Sequence, residues 1–589
     1  MFDLIVANGT VVDGSGGAPF LADVAVLDGL VAAIGTGLGP AKRTIDASGA
    51  IVTPGFVDIH SHYDGQVVWA STLEPSSWHG VTTTIFGNCG VGFAPVRPQD
   101  HDTLIELMEG VEDIPGTALH EGISWTWESF GEYLDAIDRD YDMDIGAQVP
   151  HGAVRLYAMG ERATRGEPAN PADIEQMAAI VADALRAGAL GFTTSRTLNH
   201  RTASGGDTPT LRAAHGELLG IARAVGEVGR GVLQLITDFD DVASETTLIR
   251  QMAEVSGRPV SFSLQPNPHR RPLVGQLLDF LDESASAGMP IRGQVAARAV
   301  GSFHGHTATI HPFDTCPTAI GLRALPLQER LVEFRKRETR RRILEEFAPA
   351  PRTLVLRARR LLGKARRRLL RREEPLNRFD RMYVLHDPPN YEPDLSTSVG
   401  AEARRRRVNV EEFVYDLLLE EDGRRLLYAP TFNFSDDNLN EARQLLVHES
   451  TVLGLGDGGA HVGIICDASF QTTMLSHWIR DRTKGEKLAL PFVVQQMTRK
   501  TAEAVGLTDR GLLKVGMRAD INVMDLTRLR ARAPYIAKDL PAGGARFLQR
   551  ADGYLHTFVR GVETYANGQS TGALPGRLIR GGRTDADRG

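Results

Sequence analysis

Along residues 4–50 apolar and polar positions alternate around turn signals, with Leu4-Ile5-Val6 and Asp23-Val24-Ala25-Val26 set between Asn8-Gly9, Asp13-Gly14 and Asp28-Gly29. A period of two broken by Gly-containing turns predicts several short antiparallel strands. The same texture returns near the far end, in Gly511-Leu512-Leu513-Lys514-Val515-Gly516, Asp520-Ile521-Asn522-Val523 and Phe558-Val559-Arg560-Gly561-Val562. Two strand-rich ends around a long middle predict one small β-sandwich domain built from both termini. The middle alternates short apolar runs with stretches of helical period, the pattern of βα units on a parallel sheet. Eight runs read as strands: 55–60, 82–87, 144–150, 189–195, 231–237, 259–265, 290–295 and 452–457. Eight is the number that closes a (β/α)8 TIM-like barrel, whose active site lies at the C-terminal ends of its strands.

The predicted class is therefore α/β, a barrel plus the small sheet domain. The expected division is 1–50 for the N-terminal part of the sandwich and 51–298 for barrel strands one to seven. An insertion or lid subdomain follows at 299–428, then barrel completion with strand eight at 429–510. Residues 511–589 form the rest of the sandwich and a tail. The stretch between strands seven and eight is far longer than an ordinary βα connection, which marks it as an insertion.

Composition narrows the picture. The chain has 589 residues, 42% hydrophobic and 24% charged, the values of an ordinary globular protein. Three cysteines (Cys89, Cys316, Cys466) are too few for a disulfide framework, so a reducing, cytoplasmic setting is expected. No basic patch leads into an apolar run at the start, and no window approaches about 18 uninterrupted apolar residues, so neither export nor a membrane partner is expected. Formal net charge is −8, yet between Arg330 and Arg372 there are 17 Lys/Arg against 4 Asp/Glu. This basic segment, helical in spacing over 354–372, reads as a solvated surface helix, with anion steering or subunit contact as its other uses. No RNP, zinc-finger or P-loop pattern accompanies it, so no nucleic-acid partner is expected, and a homo-oligomer stays open.

The chemistry concentrates at strand ends. In Pro54-Gly55-Phe56-Val57-Asp58-Ile59-His60-Ser61-His62 the period of two brings His60 and His62 out on one side, where both imidazoles can reach one divalent metal at about 2.1 Å. Asp457, in Gly456-Asp457-Gly458-Gly459-Ala460-His461, closes the last strand; its carboxylate can touch the metal and take a proton from water. His461 either contacts substrate or caps a loop. Cys89, in Gly87-Asn88-Cys89-Gly90, follows the second strand, and thiolate is a good zinc ligand. His151 and Arg155 after the third strand and Arg196 at the end of the fourth could orient a carbonyl and a substrate carboxylate, Arg through its bidentate fork. His200, His304, His306 and His311 read as loop histidines of the surface, able at most to supply a missing ligand.

These motifs, with the run Gly80-Val81-Thr82-Thr83-Thr84 and the closing stretch 511–525, together resemble the amidohydrolase superfamily, in its D-aminoacylase (N-acyl-D-amino-acid deacylase) branch. The resemblance covers nearly the whole chain except about 299–428. It implies a metal-dependent hydrolase with a catalytic barrel and a sandwich from both termini. In that family the first-strand histidines and last-strand Asp bind one metal while a Cys bridges to a second site, roles that fall here on His60, His62, Asp457 and Cys89. The family's histidines at the ends of strands five and six have no counterpart: the runs here carry Gln234 and Gln265, whose amide oxygens bind zinc more weakly. Nor is there a Lys between Lys42 and Lys336 to supply the carbamylated lysine of other amidohydrolases. One zinc ion on the four residues is the simplest expectation, with room for a second. The expected reaction is hydrolysis of a small N-acyl substrate, an N-acyl-D-amino acid, to a carboxylate and a free amine. Cyclic or other amides on the same barrel, and a non-catalytic binding protein, are the alternatives.

Overall fold

The computed structural model describes residues 1–265, 272–347 and 378–581. The chain divides into two compact units, Met1–Arg298 with Leu439–Val462 and Cys466–Gly589, and Ala299–Asn438 with Gly463–Ile465.

The first unit opens with β1 (Phe2–Val11), β2 (Phe20–Leu27), β3 (Leu30–Gly35), β4 (Ala41–Asp46) and β5 (Ile51–Pro54). β1 pairs antiparallel with β2 along its length, and parallel with β4 through its first half and with β5 at its end. The barrel follows: β6 (Phe56–Asp58), β7 (Val81–Phe86), β8 (Asp144–Ala147), β9 (Val149–Pro150), β10 (Gly191–Arg196), β11 (Val232–Thr237), β12 (Val260–Ser263) and β13 (Ile291–Val295). β8 and β9 are two parts of one strand divided at Gln148, whose N–H still donates to Phe86 O at 2.9 Å. All barrel pairings are parallel, as connections through helices require.

The second unit carries β14 (Val300–His304), β15 (Tyr383–Val384) and β16 (Leu427–Phe432), a three-stranded antiparallel sheet with β16 in the middle. It extends past residue 428, the expected end of the insertion, because β16 belongs to this sheet. Its core gathers Phe313, Phe334, Ile343, Phe379, Val414 and Tyr415. His304, His306 and His311 are buried rather than at the surface, a correction to their reading as surface histidines. His304 ends β14, and the loop that carries His306 and His311 is folded inward, with the His306 ring against His311 and Phe334. Burial holds His304 down at about 4 and His306 at about 3, so both stay neutral. The basic stretch 354–372 lies outside the described residues.

The chain returns to the first unit with β17 (Thr451–Leu453), which pairs with β13, and then with β18 (Ile521–Met524), β19 (Tyr554–Val559), β20 (Val562–Ala566) and β21 (Gln569–Ser570). β18 pairs with β5, so both chain ends complete one nine-stranded sheet. Its core mixes Leu4, Val6, Val24 and Val52 with Ile521, Val523 and Phe558. Burying each such side chain contributes about 1.5–3 kcal/mol. Among the described residues no helix is long and apolar enough to cross a membrane.

A buried charge cluster ties barrel to C-terminal chain. Asp144 on β8 accepts from Arg510 at 2.7 Å and is ion-paired with Arg518 at 2.7 Å, and its other oxygen takes the N–H of Arg577 at 2.9 Å. Burial works against its charge, but the two guanidinium groups outweigh burial and hold the carboxyl below the usual range. Removing the carboxylate leaves two buried guanidinium groups without it. Asp144→Ala is expected to destabilise the unit by about 3–5 kcal/mol, read as a lowered midpoint in chemical denaturation; an unchanged midpoint would refute the coupling.

His79 sits between Thr472 Oγ1 (2.7 Å) and Gln549 O (3.0 Å), and burial holds its imidazole down at about 4. The unfolded chain therefore binds a proton below about pH 6.5 that the folded chain refuses until about pH 4, so stability falls as pH drops through that window and is unaffected above it. In His79→Gln the fall in Tm between about pH 6.5 and pH 4 should be shallower than in the unaltered protein; an equal slope would assign the acid sensitivity elsewhere.

Candidate metal centre

The barrel closes between its first and last strands through a single parallel bridge, Ser61 with Gly458. Its hydrogen bonds run from His62 N to Gly458 O (2.7 Å) and from Asp457 N to His60 O (3.0 Å). The strand ladders themselves stop at Asp58 and Leu453, short of the expected ends at 60 and 457. Leu455 and Asp457 adopt positive φ (59° and 45°), which breaks the extended run and turns the Asp457 side chain toward the histidines. Cys89 arrives from β7 through Gly87, at φ 84°, where an added Cβ would fall 2.1 Å from Gln148 O. Only glycine lets the chain turn there so close to the neighbouring strand.

These turns bring His60, His62 and Cys89 together, with ligand atoms all within 4.8 Å of one another. Cys89 Sγ lies 3.5 Å from His60 Nε2, and Asp457 Oδ1 lies 3.4 Å from His60 Nε2 and 3.8 Å from His62 Nε2. The two rings stand 5.6 Å apart at 65°. Both His62 nitrogens and Asp457 Oδ1 are buried without a hydrogen-bond partner. Orphaned buried donors and acceptors carry a desolvation cost of about 1–3 kcal/mol each unless something else engages them. Two imidazoles, a thiolate and a carboxylate are a zinc-type donor set.

The electrostatics agree. Burial pushes the Cys89 thiol well up, and Glu112 and Asp457 push it further; burial also drives the His62 imidazole well down and the His60 imidazole down. Burial and the charge of Asp457 hold Glu112 well above the usual carboxylate range. Burial thus disfavours the ionised forms of Cys89, His60, His62 and Glu112, and a divalent cation would reverse that for the thiol.

Glu112, at the end of the helix His101–Glu112, is the member that the sequence reading missed. Its Oε1 is 3.4 Å from His62 Nδ1 and its Oε2 is 3.6 Å from His461 Nε2. It stands one turn after Met108 on the buried face of that helix, and a carboxylate on an apolar face is the signal that could have found it. His461 is fixed by its N–H to Glu112 O at 2.5 Å and stays partly exposed. His200 donates to or accepts from Ser195 Oγ at 2.8 Å, and burial holds it at about 3.

Three residues expected at the substrate are engaged elsewhere. His151 Nε2 and Arg155 Nε both meet the buried Glu217 Oε1, at 3.0 and 2.8 Å, and the other Arg155 nitrogens donate to Pro209 O and Glu167 O. Arg196 pairs with Glu245 at 2.8 Å and donates to Ala213 O. His151 and Arg155 stand on the helix His151–Met159 and meet Glu217 on the helix His215–Val228, and Arg196 at the end of β10 meets Glu245 on the helix Val242–Ser256, so these ion pairs tie non-consecutive elements around the barrel together. Gln234 lies behind His60: its Nε2 is 2.8 Å from His60 Nδ1 and 3.1 Å from Gln294 Oε1, while Gln294 Oε1 is 2.8 Å from the same His60 Nδ1. Gln265 lies beyond the end of β12, partly buried.

Comparison with known proteins gives the family and the fold. The model of the Amidohydrolase family matches residues 43–388 and 391–571, running through the stretch 299–428 that the sequence reading had left out of the resemblance. An N-acyl-D-glutamate deacylase of Alcaligenes xylosoxydans xylosoxydans is 27% identical over 592 residues, 98% of this chain and 96% of that protein. A solved D-aminoacylase with a binuclear metal centre superposes with a TM-score of 0.63 at 21% identity, covering 98% of this chain and 100% of its own. An N-acyl-D-glutamate deacylase from Bordetella bronchiseptica, solved with zinc and a phosphonate inhibitor, gives 0.61 at 21% identity, covering 98% and 99%. At these identities the two structures share the fold, and with the family match over most of its length the chain belongs to the amidohydrolase family.

Proposed function

We propose that this amidohydrolase cleaves the amide bond of N-acyl-D-amino acids around one zinc ion held by His60, His62, Cys89 and Asp457. The observation that carries the reading is the convergence of those four side chains, with orphaned buried atoms, in a chain that aligns from end to end with an N-acyl-D-glutamate deacylase. When bound, the ion supplies Lewis-acid polarisation of the scissile carbonyl and a water acidified toward a pKa of about 7.

The chain's own groups do the rest. Asp457 takes the proton of the attacking water and passes it to the leaving nitrogen, which departs as a free amine. His461, partly exposed beside Glu112, donates to the oxygen on which negative charge develops. Glu112 and the barrel wall keep bulk water from the buried side of the site.

Gln294 Oε1, 2.8 Å from His60 Nδ1, is placed to accept from Nδ1–H, the tautomer that frees the Nε2 lone pair on the Cys89 and Asp457 side; Gln234 Nε2, also 2.8 Å from that nitrogen, donates to Gln294 Oε1 at 3.1 Å. The glutamine amides also fill the space behind His60, which supports one ion rather than two.

Asp457→Asn is expected to lower kcat for N-acetyl-D-amino acids at least about a hundredfold while zinc still binds, measured by amine release and elemental analysis. Retained turnover would overturn the role of Asp457, and turnover of only L or cyclic substrates by the unaltered protein would overturn the substrate class. Gln294→Leu should weaken zinc about 10–100-fold in competition with a chelator, with Gln294→Glu, which keeps an acceptor, closer to the unaltered protein. Equal affinity in all three would show that the amide does not position His60.

A further inference from the structure

The N-terminal mouth of the barrel, opposite the metal centre, holds a cavity of about 300 Å³. It is lined where β10, β11 and β12 begin and where 505–510 and 579–581 pass beneath them, and it presents four arginines, Arg230, Arg258, Arg510 and Arg580, against one carboxylate, Asp509.

The four are not equivalent. Arg510 is neutralised by Asp144 and Asp509, and Arg580 by Asp135 and Asp138. Arg230 and Arg258 have no carboxylate partner among the described residues. Each is half-buried and pinned by one backbone carbonyl: Arg230 Nη1 donates to Gly581 O at 3.2 Å, and Arg258 Nε donates to Gly231 O at 3.0 Å. That anchoring fixes the direction of each fork while leaving further N–H donors for another acceptor.

The apolar floor of the cavity, with Leu190, Val232, Pro259 and Val505, lowers the local dielectric, so the two uncompensated cations act more strongly than they would in open water. Folding places like charges together here at a cost that a bound anion removes, and planar guanidinium forks match oxyanions in bidentate fashion.

From this geometry we infer a second ligand site: Arg230 and Arg258 bind a small, doubly charged oxyanion, a phosphate or dicarboxylate group, in the basal cavity. The site lies at the end of the barrel away from His60 and Asp457, so its occupancy stabilises the fold without entering the reaction. Phosphoryl and carboxylate ligands share this chemistry, and the test separates them.

Binding of inorganic phosphate and of succinate to the full-length, metal-loaded protein is followed by isothermal titration and by the shift in Tm, with sodium chloride at matched ionic strength as the control. Either anion is expected to raise Tm in a concentration-dependent way. The anion that does so more strongly identifies the group. In Arg230→Gln/Arg258→Gln its Kd should rise at least about tenfold, with metal content and hydrolytic rate unchanged. Arg258→Lys, which keeps the charge and loses the fork, should fall between the two. No anion effect beyond chloride in the unaltered protein overturns the site, a result that needs no variant to fold. A shift kept in full by the double variant also overturns it, because the anion then sits elsewhere, at the metal included.

Discussion

One backbone bridge closes the barrel and assembles the candidate site. The N–H of Asp457 bonds to the carbonyl of His60, and the N–H of His62 bonds to the carbonyl of Gly458. Strand one therefore cannot meet strand eight without bringing a carboxylate between two imidazoles. The reverse holds too, since a cation gathering those side chains pulls the same seam shut. Coupling of this kind ties metal binding to folding, because the unfolded chain has no preformed site.

The interior beneath that seam is polar where barrels are commonly filled with branched apolar side chains. Gln234, Ser261 and Gln294 stand on the successive strands β11, β12 and β13, and Gln294 joins Gln234, Ser261 and His60 by hydrogen bonds. A half-satisfied polar core is costly, so the amides are valuable here only as parts of a network that orients an imidazole. The lower end of the barrel is held differently, by the carboxylate of Asp144 shared between Arg510 and Arg518.

Much of this was legible in the sequence because it is local. Eight apolar runs, a His-x-His after the first and a Gly-Asn-Cys-Gly after the second state the barrel and part of its mouth by spacing alone. The ion pairs of Arg155 and Arg196 were not legible because their partners Glu217 and Glu245 lie dozens of positions away, and nothing local distinguishes a buried ion pair from a substrate anchor. Glu112 was missed since its meaning comes from the pocket it enters rather than from its neighbours. The histidines at 304, 306 and 311 looked like surface loop residues, but His304 ends strand β14, and the loop that carries His306 and His311 packs them against Phe334 instead of water.

The sheet shared by both termini has a consequence for how the protein is made. Val52 pairs with Val523, so β5 must wait through almost the whole of translation for its neighbour β18. At about 5–20 residues per second, the ribosome leaves that strand edge unpaired for tens of seconds. An open, apolar strand edge is a template for pairing with other chains. Nascent chains that stop before residue 521 thus expose a defect that the finished protein hides, and a chaperone or protease could tell the two apart by that edge alone.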